Sequence, residues 1–175
     1  LSAWGCSSEM IIADERMSAE FKTRRHELNE HLLDLVKTLP AESFEALLRS
    51  LLQHMGYHGV DLLNGTEDGR VILIAHHQEG EVTVLIAQRH AQPLTSERLS
   101  QIQRGLTSLY ADRGIVVHLG GFEEATPPKG LRLIDATQLV DLMCTHHVGV
   151  QAYTHDLYFA DQAFFQGLKE RSDLC

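Results

Sequence analysis

Residues Glu67–His90 read EDGRVILIAHHQEGEVTVLIAQRH, and this stretch decides how the rest of the chain is built. Two apolar runs, Arg70–His76 (RVILIAH) and Glu81–Arg89 (EVTVLIAQR), flank the short polar connection HQEG, His77–Gly80. Both runs are rich in β-branched residues, and the glycine before the second marks a turn, so together they predict a β-hairpin. Neither run alternates strictly between apolar and polar. Near-continuous apolar strands are those covered on both faces, so the hairpin needs helices packed above and below it.

The flanking sequence supplies them. From Ser18 to Leu39, Leu28, Leu32, Leu35, Val36 and Leu39 form a helical stripe on a charged background. Pro40 ends that helix and opens the next. In AESFEALLRSLLQHMGY, Phe44, Leu47, Leu48, Leu51, Leu52 and Met55 recur at helical spacing, with Gly56 as the C-cap candidate. Tyr57–Leu63 reads as a first strand before the Asn64-Gly65 turn. Downstream, Leu99, Ile102, Leu106, Leu109 and Tyr110 mark a third helix, whose mid-helix Gly105 is expected to pack closely on the sheet. GIVVHLGG and LRLID are strands four and five, Thr137–His146 is a helix, QAYTHDLYF is one further strand, and Gln162–Lys169 is a short closing helix. A hairpin followed by βαβ-type connections predicts an α/β fold in three layers, with a central mixed sheet of about five strands flanked by helices. Residues 1–17 are read as an N-terminal arm, a remnant of an upstream segment, and 18–175 as a single domain.

Composition narrows the function classes. With 175 residues, 43% hydrophobic and 22% charged, the chain buries enough surface to fold without disulfide or metal staples. Its three cysteines, Cys6, Cys144 and Cys175, form no CxxC pair, and Cys144 falls in an apolar helical pattern, which suits a reducing cytoplasm. No apolar run reaches the roughly 18 residues of a membrane span, so no membrane partner is expected. The opening LSAWGC ends like a lipoprotein cleavage site, but Trp4 is bulky and no basic and apolar segment precedes it. Fifteen Lys and Arg against 24 Asp and Glu give a formal charge of −9, which argues against strong, indiscriminate duplex binding.

The ordered segments Leu32–Tyr57, Asp68–Ala75 (DGRVILIA), Ile86–His90 (IAQRH), Ile102–Phe122 and Leu131–Val150 resemble the Mrr-like type IV restriction endonuclease catalytic domain, a branch of the PD-(D/E)xK nuclease superfamily. The resemblance runs from about Glu27 to Phe165. It implies a restriction-endonuclease-like fold and a site built from a helix acid, a second-strand Asp and a Q-x-K triplet on the third strand. In such a site carboxylates hold Mg²⁺, the metal activates water, and the lysine orients or deprotonates it. Here the helix acid is present as Glu45, but Ile72 stands at the Asp position, and Ile86 and Gln88 replace the Gln and Lys of the triplet. Ile offers no ligand oxygen, and Gln88 has neither the charge nor the acid–base capacity of lysine. No metal or other cofactor is therefore expected at these positions.

Sliding the third strand by one residue would give a relocated site of Glu45, Asp68 and His90, with Mg²⁺ as its cofactor. That slip turns the strand over unless a bulge intervenes. Arg98 and Arg104 on the third helix, with Arg89 and Arg113 near its ends, are candidate nucleic-acid contacts, against the simpler reading of a solvated helix face. His76-His77 and His146-His147 are adjacent pairs rather than the i, i+4 spacing of helical metal ligands, and read as element ends. The glycines of HLGGF read as a phosphate cradle or, more simply, a shortened connector. Phe159, Phe164 and Phe165 staple the tail to the core or meet a partner chain. These readings point to a degenerate endonuclease domain acting as a DNA-associated or assembly module of a restriction or defence protein. Two alternatives stand beside it: an active Mg²⁺-dependent endonuclease with a relocated site, and a protein-interaction or dimerisation domain, joining a second copy or a partner defence protein, that binds no DNA.

Overall fold

A computed structural model describes residues 8–64, 69–124, 126–153 and 157–172. The chain opens with two helices, α1 (Ser8–Thr38) and α2 (Ala41–His54), then forms strands β1 (His58–Asn64), β2 (Arg70–His76) and β3 (Val82–Gln88). Helix α3 (Ser96–Ser108) leads to β4 (Arg113–His118), β5 (Leu131–Ile134) and α4 (Ala136–Thr145). A small hairpin of β6 (Val150–Tyr153) and β7 (Leu157–Ala160) precedes α5 (Gln162–Ser172).

The main sheet runs in the order β1-β2-β3-β4-β5. β1, β2 and β3 are antiparallel neighbours, and β4 and β5 continue the sheet parallel to β3. This is the expected mixed sheet with helices on both faces. β1 is an edge strand whose pairing is broken by two register shifts, a common way to blunt an open edge.

Strand alternation divides the interior in two. Val71, Leu73, Ala75, Leu85, Ala87, Ile115 and Val117 face the larger core, shared with α1, α2, α4 and α5. Ile72, Ile74, Val84, Ile86 and Val116 face the smaller one, closed by Leu94, Leu99, Ile102 and Leu106 from α3 and the segment before it, and by Phe122 after β4. Both faces of β2, β3 and β4 are thus covered, which is why their sequences show near-continuous apolar runs.

Local chemistry sets the element ends. Gly56, at φ +93°, takes the left-handed conformation after α2. α4 begins with a reciprocal capping box: Asp135 Oδ1 accepts from the Gln138 amide at 2.9 Å, and Gln138 Oε1 accepts from the Asp135 amide at 3.0 Å. Cys144 is buried, as its helical pattern implied.

Three expectations are corrected. The first helix begins at Ser8, ten residues before Ser18. QAYTHDLYF is not one strand, because its two ends pair antiparallel as β6 and β7, with Val150 opposite Ala160. Gly105 makes no close approach to the sheet: it is exposed, and a Cβ there would meet nothing. The tight spot belongs to Gly114 on β4, where a Cβ would overlap the side chains of Leu106 and Leu131. Phe165 does staple the tail: it is buried in the larger core and packs edge-on against Phe164, with ring centroids 5.4 Å apart. The side chain of Phe159 lies outside the described residues.

Candidate functional site

The β2–β3 register fixes the candidate site. It runs unbroken from Arg70 opposite Gln88 to His76 opposite Val82, with Ile72 directly opposite Ile86. Across the parallel β3–β4 pair, Ile86 aligns with Val116 and Gln88 with His118. Directly paired residues share a sheet face, so the α3 side carries two bands at this end of the sheet. One is apolar, Ile72–Ile86–Val116, and the next is polar, Arg70–Gln88–His118.

The structure therefore brings Ile72, Ile86 and Gln88 together, as the hairpin reading required. Ile72 and Ile86 pack with Val84, Leu99, Leu106 and Val116 in the smaller core. Ile72 and Ile86 are partly buried, and Gln88 is buried at 9% exposure. Glu45 makes its contacts elsewhere. It extends from α2, whose Phe44, Leu47 and Leu48 fill the larger core on the other face of the sheet. Its carboxylate pairs with Arg49 at 2.7 Å, and Arg49 also donates to the Val60 carbonyl on β1. Among the described residues, no hydrogen bond or ion pair joins Glu45 to the three strand positions.

Among the described residues, no hydrogen bond or ion pair joins Glu45 to His90 of the relocated site. β3 ends at Gln88 in continuous register, so His90 lies beyond the strand, and it is exposed. Glu67 and Asp68 lie outside the described residues. Among the described residues no group of three His, Cys, Asp or Glu side chains converges as a metal site. The oxygen-donor set that Mg²⁺ needs is thus not supplied by the strand positions of the family pattern.

The arginines do not share a face. Arg89 turns to the α1–α2 junction, where it donates to the Leu39 carbonyl and lies 4.8 Å from the centre of the Phe44 ring. Burial there lowers its pKa. Arg113 pairs with Glu81 at 3.1 Å. Arg98 and Arg104 are exposed on α3, and Arg98 donates to Gln101 at 2.8 Å. Six residues separate them, roughly 120° around the helix axis, so they form no single basic stripe.

The HLGGF glycines are a connector. A Cβ on Gly120 would collide with the backbone of residues 90–92, so its glycine permits two chain segments to meet. The amide N–H of Gly120 donates to His118 Nδ1 at 3.2 Å, and that of Gly121 donates to the His118 carbonyl. Neither is left to hold phosphate.

Sequence reasoning missed Arg70 and His118. His118 is 2% exposed, and burial lowers its pKa, with a smaller contribution from His90. Its Nδ1 accepts a hydrogen bond, so the ring is neutral with its remaining proton on Nε2. Arg70 Nε is buried with no hydrogen-bond partner among the described residues. Neither feature has a local signal, because both arise from cross-strand register.

Comparison with known proteins agrees with this architecture. The chain matches the Mrr catalytic family, described as restriction endonuclease, over residues 36–143, more than half its length. Among solved structures it is similar to the DNA modification-dependent restriction endonuclease AspBHI, with a TM-score of 0.59 at 16% identity. The likeness covers 83% of this chain and 40% of that one, so the chain spans well under half of that enzyme's length. No curated protein matches it significantly. In fold and in family, this chain belongs to the Mrr-type restriction endonuclease catalytic domains.

Proposed function

We propose that this chain is a catalytically silent restriction-endonuclease-fold domain, serving as a DNA-associated or assembly module of a larger restriction or defence protein. The observation that carries the reading is the pairing of Ile72 with Ile86, both partly buried and packed against a hydrophobic cluster. A hard divalent cation binds oxygen ligands and dehydrates reluctantly, and two partly buried isoleucines offer neither oxygen nor compensating charge. Glu45, the one acid retained from the family pattern, is engaged by Arg49. DNA is the partner suggested by the family and by the name of AspBHI.

The test is incubation of the purified protein with methylated and unmethylated supercoiled plasmid in Mg²⁺ or Mn²⁺. Both plasmids stay intact under this reading, and specific nicking abolished by Glu45→Gln would refute it. The formal charge of −9 favours a second reading, a protein-interaction or dimerisation domain with no DNA affinity. Gel shifts at low and moderate salt separate the two, since no shift even at low salt selects the protein partner.

A further inference from the structure

The polar band beside the isoleucines is chemically one-sided. Arg70, Gln88 and His118 align across β2, β3 and β4 on the face that carries the smaller core. Arg70 brings a guanidinium with five N–H donors, Gln88 an amide, and His118 a neutral ring with Nε2–H to give. Among the described residues, no carboxylate pairs with Arg70 and no hydrogen bond engages the Gln88 amide. A half-buried guanidinium whose Nε is shielded from water and unpartnered is costly. An anion arriving at the band would meet the terminal N–H groups of the guanidinium and offset its charge.

Adjacent strands are roughly 4.8 Å apart, so three side chains in a row span on the order of 10 Å. That width suits one phosphate gripped by the guanidinium and flanked by two neutral donors. Arg is suited to the task because its planar fork matches phosphate oxygens two at a time.

We propose that Arg70, Gln88 and His118 form a metal-independent phosphate-binding row, whose occupant is a phosphodiester of the nucleic-acid backbone. The assignment of the occupant rests on the DNA-associated reading above; the row itself does not. The family pattern brings metal to a phosphate at this end of the sheet, whereas this chain offers a guanidinium directly. One cation grips one phosphate, which fits an acidic chain unsuited to tracking many.

The experiment uses the full chain and a short labelled duplex, with binding followed by fluorescence anisotropy across a salt series in EDTA. Wild type is compared with Arg70→Gln and Arg70→Lys. Loss of one phosphate contact weakens binding about three- to tenfold and removes about one unit from the slope of log K against log salt. Arg70→Lys keeps the slope while losing affinity, which separates recognition from folding. In a parallel arm, inorganic phosphate is added during thermal melts of wild type and Arg70→Gln.

A weaker, shallower duplex titration for Arg70→Gln supports the row with a phosphodiester as occupant. A phosphate-induced rise in Tm seen only in wild type, with duplex binding unchanged, supports the row but assigns it to free phosphate. Arg70→Gln matching wild type in affinity, slope and phosphate response overturns the row. If no duplex binds at any salt, the DNA-associated reading fails by itself, and the phosphate melts decide the row alone.

Discussion

Ile72 and Ile86 face one another across the β2–β3 ladder and pack, partly buried, against the core beneath α3. In the family pattern these two positions carry a metal-ligating Asp and the Gln of the Q-x-K triplet. The pair therefore joins the packing of the fold to the proposed loss of its chemistry.

Restoring one acid is expected to harm the fold rather than rescue catalysis. Ile72→Asp places a carboxylate at a partly buried position packed against the smaller core and should cost about 1–3 kcal/mol. The check is the urea midpoint of the variant beside its plasmid-nicking rate. A rise in nicking with unchanged stability would show that the site already works.

Arg89 belongs to the scaffold. Arg89→Ala removes its bond to the Leu39 carbonyl and its stacking over Phe44, and is expected to cost about 1–2 kcal/mol. Duplex affinity should not change. Equilibrium denaturation and anisotropy on the same variant measure the two effects separately, and a change in affinity without a change in stability would place Arg89 in a binding face after all.

The two kinds of glycine in this chain should respond oppositely to alanine. Gly105 lies in the exposed interior of α3 with open space around it, so Gly105→Ala should stabilise by about 1 kcal/mol. Gly149 has φ +69°, and a Cβ there would sit 2.9 Å from the Phe165 ring. Gly149→Ala should therefore destabilise by about 1–3 kcal/mol. Thermal melts of both variants check the signs.

His118 makes stability sensitive to acid. Burial holds its folded pKa below the ordinary 6.5, so the unfolded chain takes up the proton first as pH falls. Its contribution is complete above that ordinary value and is lost as pH drops toward the folded one. His118→Asn should flatten the fall in Tm below pH 6.5 relative to wild type. An unchanged profile would mean that another group controls it.

How much of this was legible depended on where each signal lay. The hairpin, the α2 stripe and the five strands of the main sheet were readable because periodicity and turn residues are local. The facing of Ile72 and Ile86 followed from the short connection between β2 and β3. The β6–β7 hairpin was read as a single strand because its halves are only four residues each. Gly105 and Gly114 exchanged roles because spacing alone does not say which side of a helix–strand contact supplies the close approach. The Arg70–Gln88–His118 band was invisible for a related reason: β4 reaches β3 through a long helical crossover, and its register against Gln88 has no counterpart in neighbouring residues.

Metal binding precedes every catalytic step of this nuclease family's chemistry, so it tests the proposed loss of that chemistry most directly. Mn²⁺ can be titrated into wild-type protein and into the Ile72→Asp/Gln88→Lys variant, with the free-ion signal followed by electron paramagnetic resonance. Wild type should leave that signal undiminished at stoichiometric protein. Saturable one-to-one uptake by wild type, abolished by Glu45→Gln, would contradict the account.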